Sequence, residues 1–220
     1  MYTPRAYAEA DLALLHTRMR EWSFATLVTH GDNGLNATHL PFLLDAHAGS
    51  QGTLTTHLAR ANAQYDDLKA GASALVIFQG PHAFISPSWY RNQLTFPTWN
   101  YTAIHARGQT SLVEDAQAVH AVLQRTVALY DTPLGGNWAF GGMPDTLVSS
   151  RLGAIVAVTL PIEQLEGKMK LNQDKTVADR LGVIAALERI GDAQGLAVAQ
   201  LMRAHPELQA NPAHPPHTRT

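Results

Sequence analysis

An α+β fold, in the form of an antiparallel β-barrel with peripheral helices, is predicted by three features of the sequence. Short runs with strand-like alternation, "SFATLVTH", "LNATHLPFLL" and "TLTTHLA", follow one another across Gly- and Asn-containing turns. Helical segments are inserted between such runs instead of alternating with them in a βαβ rhythm, which disfavours a parallel doubly wound sheet. The chain has 220 residues, 45% of them hydrophobic, enough to fill a real core.

Taken in order, "EADLALLHTRMREW" sets Leu12, Leu15 and Met19 on one face, with Arg18 and Arg20 late, as the helix dipole favours. The "GDNG" between the first two strands supplies the positive φ of a tight hairpin, and "DAHAGSQG" leads to the third strand. "RANAQYDDLKAG" reads as a short helix closed by Gly71, followed by the strand "ASALVIFQ" and the strand-like "HAFISPSWY". A long aromatic loop then precedes the strand "NYTAIHARGQTSLV". Further on, "EDAQAVHAVLQRTVALYD" is a helix, "DTPLGGNWAFGGMPD" a glycine-rich connection, and "AIVAVTLPIEQLEG" a buried strand ending at Pro161. "KMKLNQDK" is expected as an exposed strand or turn. Thr176 caps the helix "TVADRLGVIAALERIGD", with Asp179 at the capping-box position, and "AQGLAVAQLMRAH" forms another helix. Residues 1–205 are expected as one domain with C-terminal helices. Residues 206–220, rich in Pro and His without apolar periodicity, are expected as a disordered tail.

Several functions lose their basis. The longest apolar runs, 74–78 and 154–158, fall far short of the roughly 20 residues of a membrane helix, and "MYTPRAYAEAD" has no signal-peptide core. A cytoplasmic location is the expectation. The absence of cysteine removes disulfides, thiol nucleophiles and Cys-ligated metals together. A net charge of −2 gives no global field toward nucleic acid. P-loop, GxGxxG, HExxH and GxSxG motifs are missing, and no two of the eleven histidines are spaced as a zinc pair on a predicted helix, so neither a catalytic residue nor a metal ligand is assigned.

Four stretches carry the remaining chemistry. "THLARAN" joins a strand to a short helix. Thr55, Thr56 and Arg60 there suit a phosphate monoester, or else form an N-terminal cap beside a surface arginine. "NATHLPF" sets Asn36, Thr38 and His39 on a strand that also buries Leu40 and Phe42, so alternation can turn polar groups to one face. "GKMKLNQDK" is either a solvated basic strand or an anion site. In "SPSWYRNQLTFPTWNYTAIHARG", rings that would usually fill a core sit in a long Pro-containing loop, where a ligand wall or a partner surface is an equal reading.

Five strings in order, "THLPF", "HLARAN", "GPHAFISPSWY", "PTWNYTAIHARG" and "LEGKMKLNQDKTVADRLGVIAALE", resemble the FMN-binding negative transcriptional regulators typified by PaiB of bacilli. The resemblance spans the first helix to about residue 190. It implies a pyridoxamine-phosphate-oxidase-like split β-barrel, a homodimer holding FMN in a groove between subunits, and a role as repressor. It implies flavin contacts along Asn36, Ala37, Thr38, His39 and Leu40, and ribityl and phosphate contacts from Thr55, Thr56, Arg60 and Asn62. Asn100 would offer its amide to the isoalloxazine edge, and Lys170 and Gln173 would close the groove. The chain reads "KLNQD" where the family usually reads Lys-Leu-Ser-Gln-Asn, and has Ala63 and Tyr65 where Pro and Trp are usual.

The first functional expectation is an FMN-binding regulator, with DNA as a partner lacking a clear sequence signature: Asp179 and Glu188 accompany Arg180 and Arg189 on the helix after Thr176. A flavin-dependent oxidoreductase acting on a small molecule is the alternative. A haem-binding split barrel with His39 or His105 as axial ligand is the third. Trp89 and Trp99 are expected to brace the flavin groove and dimer seam.

Overall fold

The computed structural model describes residues 1–32 and 34–209. The strands are β1 (Ala8–Glu9), β2 (Phe24–Gly31), β3 (Gly34–Pro41), β4 (Leu43–Asp45), β5 (Thr53–Ala59), β6 (Ser73–Ile85), β7 (Thr98–Gln109), β8 (Ser111–Val113), β9 (Ile155–Pro161) and β10 (Gln164–Lys170). The helices are α1 (Leu12–Glu21), α2 (Gln64–Lys69), α3 (Ala116–Tyr130), α4 (Asp145–Gly153), α5 (Val177–Ile190), α6 (Ala193–Arg203) and α7 (Pro206–Gln209). The tail expected from Pro206 lies, from residue 210 on, outside the described residues, as does Asn33 of the first hairpin. The mixture of antiparallel sheets and helices is the α+β architecture that the sequence anticipates.

Contacts divide the chain into two compact units. One comprises Met1–Glu9, Gly80–Ala103 and the chain from Gly167 onward; the other comprises Ala10–Gln79 and Ile104–Glu166. In the second unit β2 pairs antiparallel with β3 (Leu27 opposite Thr38) and with β6 (Leu27 opposite Val76). A four-stranded sheet in the order β4-β5-β9-β8 completes it. Its core gathers Leu43, Val119, Val122 and Ala157, with Val113, Leu152 and Ile155 packed against them.

Two apparent single strands are broken. "LNATHLPFLL" divides at Phe42, whose N–H turns to the Ser23 carbonyl (2.8 Å), and Pro41 brings no N–H of its own to extend the ladder. "NYTAIHARGQTSLV" divides at Thr110, whose N–H and hydroxyl both donate to the Ala72 carbonyl. Conversely, the two strands read around "QGPH" are one thirteen-residue β6. Between the glycine-rich connection and β9 lies an unanticipated helix, α4.

In the first unit, α5 and α6 bury Val183, Ile184, Leu187, Val198, Ala199 and Met202. Thr176 caps α5 as expected, accepting from the Asp179 N–H, while Asp179 carries a second task. Its carboxylate accepts from the Arg91 N–H at 2.7 Å and so ties the aromatic loop to the helix start. Gly182 lets the helix approach that loop closely: a Cβ there would lie 2.2 Å from the Trp89 carbonyl oxygen. The rings of the loop then take different roles. Tyr90 is core, Trp89 is half-buried, and Phe96 and Trp99 are exposed.

Candidate functional site

The candidate residues fall into two groups, one in each unit. In the second unit β3 alternates: Leu35, Ala37 and His39 are exposed, while Asn36 and Thr38 face α2 and Leu40 is buried. Asn36 Nδ2 donates to Asp67 Oδ2 at 2.8 Å, and the Thr29 hydroxyl donates to the same oxygen at 2.6 Å. These two bonds hold Asp67 below the usual carboxylate range. Asn62 Nδ2 donates to Thr38 Oγ1 (3.0 Å), and Asn62 Oδ1 accepts from the Gln64 N–H (2.9 Å), which starts α2. Gln64, fully buried, donates through Nε2 to the Leu27 carbonyl and to Thr29 Oγ1. Asn36, Thr38 and Asn62 are thus brought together with Asp67, Gln64 and Thr29, and the network pairs its members with one another apart from Gln64 Oε1, which is buried without a partner.

His39 lies on the outer face, with Nδ1 2.9 Å from Thr26 Oγ1 and its ring stacked on Phe24. Thr55 and Thr56 are buried on β5, where the Thr56 hydroxyl donates to the Pro41 carbonyl at 2.7 Å. Arg60, just past β5, places its guanidinium 2.6 Å from Glu114 Oε1 and 3.2 Å from the Tyr65 hydroxyl. The Glu114 pair raises its pKa, and Arg60 in turn holds Glu114 below the usual carboxylate range.

The first unit holds a small polar pocket of about 90 Å³ lined by Tyr7, Phe96, Thr98, Asn100, Lys170 and Asn172, with Asp174 and Lys175 at its edge. Asn100 is fully buried. Its Nδ2 lies 3.6 Å from Met202 Sδ, and its Oδ1 is buried without a hydrogen-bond partner. Asn172 repeats the pattern from the other side: Nδ2 donates to the Tyr90 hydroxyl, and Oδ1 is buried without a partner. Asn172 holds a left-handed backbone, φ 63°, which asparagine tolerates better than most residues. A buried acceptor with no donor is costly, by about 1–3 kcal/mol, so two beside one pocket make it the candidate place for a donor from outside the chain.

Lys170 supplies the charge. Its amine donates to Thr98 Oγ1 and to the Trp99 carbonyl (2.6 Å) and lies 5.9 Å from the Tyr7 ring centre. Burial lowers its pKa. Burial also pushes the Tyr7 phenol up to about 12, aided by its hydrogen bond with Asp174. For Asp174 burial works upward, but hydrogen bonds from Lys175 and Tyr7 outweigh it and hold the carboxyl low. Lys175 Nζ is 3.0 Å from Asp174 Oδ2, so this pair offsets itself and Lys170 is left as the cation facing the pocket.

Gln173 does not line the pocket; its Oε1 accepts from the Leu171 N–H and its Nε2 donates to the Met169 carbonyl, stapling the turn after β10. The expected solvated basic strand is half inside, with Lys168, Met169, Leu171 and Asn172 all buried. Tyr7 and Thr98 were missed by sequence reasoning. Tyr7 stands in an N-terminal stretch with no motif, and only its proximity to the segment after β10 makes it a wall residue.

Three comparisons bear on this arrangement. The sequence family described as "Putative FMN-binding domain" matches residues 1–164. "Protease synthase and sporulation protein PAI 2" of Bacillus subtilis is 31% identical over 205 residues, covering 92% of this chain and 96% of that protein. Among solved structures, the flavocytochrome Anf3 from Azotobacter vinelandii superposes with a TM-score of 0.58 at 11% identity, over 76% of this chain and 72% of that one. The FAD and haem binding protein from Mycobacterium smegmatis does so with a TM-score of 0.54 at 15% identity, over 80% and 78%. At those identities the two structures speak for the fold alone.

Proposed function

Because this chain belongs to the FMN-binding domain family, we propose that it is a flavin-binding regulator of the PaiB type that lowers transcription of its targets without reading DNA through a recognition helix of its own. The observation that carries the flavin part is the pair of partnerless amide oxygens beside Lys170. The residues present fit the cofactor's chemistry. Asn100 Oδ1 would accept from a ring N–H of the isoalloxazine, and Lys170 would face one of the ring's oxygens. At about 90 Å³ the pocket is well below the roughly 300–1,000 Å³ of a complete ligand site, so it takes one edge of FMN and not the whole molecule. When bound, FMN supplies reversible electron transfer that the side chains of the chain lack.

Phosphate contact from Arg60, with Thr55 and Thr56, and ring contact from Asn36 to Leu40 and from Asn62 belong to the same reading. Arg60 supports it by standing about one-third exposed, with Glu114 as a partner it can exchange. The regulatory part rests on the name of the Bacillus subtilis relative. Its indirect character rests on α5: Arg180 is fully buried, and Glu188 beside Arg189 pairs with Arg203.

The test begins with the spectrum of the purified full chain, where bands at about 370 and 450 nm report flavin. Titration of the stripped protein with FMN, compared between wild type and Asn100→Leu, then localises the site. Mobility shift on DNA at a stated low salt should be negative, while deletion of the gene should raise transcription of its targets. A sequence-specific shift would overturn the indirect reading. Steady flavin turnover with a nicotinamide donor, and no transcriptional effect of deletion, would replace the regulator with an oxidoreductase.

A further inference from the structure

The second unit contains a larger cavity remote in chemistry from everything above. Leu123 of α3, Leu147 and Leu152 of α4, and Trp138, Phe140 and Met143 of the connection between them line a groove of about 240 Å³. Its walls are apolar and open to solvent: Trp138 is 44% and Leu147 42% exposed, so the chain leaves contiguous apolar surface uncovered here.

The groove is preformed. Phe140 meets His120 edge-on at 4.5 Å and Trp138 at 4.6 Å, a ladder of rings in their favoured geometry. Asp131 holds the connection: its carboxylate accepts from the Trp138 N–H at 3.2 Å, and its carbonyl accepts from the Gly136 N–H at 3.0 Å. A Cβ at Gly136 would lie 2.1 Å from that carboxylate, so a larger residue there would displace Asp131 from the Trp138 N–H. His120 Nε2, against Phe140, is buried with no hydrogen-bond partner.

One cation also lines the groove. Arg151 is exposed on α4, and among the described residues no carboxylate pairs with it. A guanidinium fork matches a carboxylate in two parallel bonds. We propose that this groove binds a small amphipathic carboxylic acid, its apolar body between α3, α4 and the Trp138–Phe140 ladder and its carboxylate on Arg151. The cavity lies just under the usual ligand range of roughly 300–1,000 Å³, which suits an arylalkanoate or medium-chain acid and not a nucleotide.

The experiment uses the full chain, with Trp138 fluorescence as readout and Trp138→Phe to assign the signal. 4-Phenylbutyrate is expected to give a saturable change. 4-Phenylbutanol should bind about tenfold more weakly, and Arg151→Gln should weaken the acid by a similar factor without affecting the alcohol, as loss of one charged hydrogen-bonded pair implies. Leu147→Glu should remove both, with flavin content unchanged. Equal binding of acid and alcohol, or no saturable change in the wild-type chain, would overturn the proposal. Shielding of Trp138 from acrylamide that grows with protein concentration would assign the groove to a second copy and overturn it too.

Discussion

Asn100→Leu separates a ligand-binding asparagine from a structural one. Leucine has the same number of side-chain heavy atoms and the same branching, so the site is neither emptied nor greatly overfilled. In the flavin-free protein the substitution removes an acceptor that is buried without a donor, relieving about 1–3 kcal/mol. It gives up only the weak contact of Nδ2 with Met202 Sδ at 3.6 Å. Net stabilisation of about 1 kcal/mol or more is expected, read as a higher urea midpoint at unchanged slope. FMN binding moves the other way. A flavin N–H deprived of its acceptor loses about 1.5–3 kcal/mol, a tenfold to hundredfold rise in Kd by fluorescence titration. The two effects have opposite signs. A variant destabilised by more than about 3 kcal/mol that still binds FMN as tightly as wild type would refute the reasoning and make Asn100 a core residue.

Tyr7 holds its proton to about pH 12 when folded against 10.0 unfolded, so its contribution is complete below pH 10.0 and is lost as pH rises toward 12; Tyr7→Phe should flatten the wild-type fall in urea midpoint over that window. Lys170 has the opposite sign: its folded pKa lies below 10.5, so between that lowered value and 10.5 the unfolded chain binds more protons and stability climbs with pH. Lys170→Met should abolish that climb, and wild-type FMN affinity should fall over the same window. Gly182→Ala should destabilise by about 1–3 kcal/mol in spite of alanine's better helix propensity, because its Cβ meets the Trp89 carbonyl and not a flexible side chain, and thermal unfolding measures it. Glu114→Gln should leave the urea midpoint nearly unchanged, the pair being largely exposed, and should tighten FMN binding if Arg60 carries the phosphate; unchanged affinity in both Glu114→Gln and Arg60→Ala would remove Arg60 from the site.

What could be read from the sequence divides along the line between local and long-range physics. The Thr176 cap, α1, the β2–β3 hairpin and α3 follow from spacing and capping chemistry within a few residues. The division at Phe42 and Thr110 does not, since a donor leaves the ladder for the carbonyls of Ser23 and Ala72 far away in sequence. Asn100 and Lys170 were legible as pocket residues through the family resemblance, whereas Gln173 was legible only as polar: that its amide folds back onto Leu171 and Met169 depends on the turn it staples. Asn36, Thr38 and His39 illustrate the limit of alternation. The three do not share a face as expected: Asn36 and Thr38 turn inward and His39 outward, and alternation cannot say that Asp67 of α2 occupies the inner face.

Tyr7, Asn100 and Lys170 come from three separate stretches of chain, and the last belongs to the final third of the sequence. Every strand of the four-stranded sheet precedes Lys170 in the chain, the last of them, β9, ending at Pro161, so that sheet is built without the residues that wall the pocket from Lys170 onward. The contacts proposed for Lys170 and its neighbour Asn172 therefore come last in the chain, after those proposed for Asn36, Arg60 and Asn100. A nascent or truncated chain ending near Glu166 would present the second unit's surfaces, the Trp138 groove included, with no means of holding the cofactor by Lys170 and Asn172. Flavin binding through these two residues requires a chain that runs past Asn172, which a fragment ending near Glu166 cannot supply.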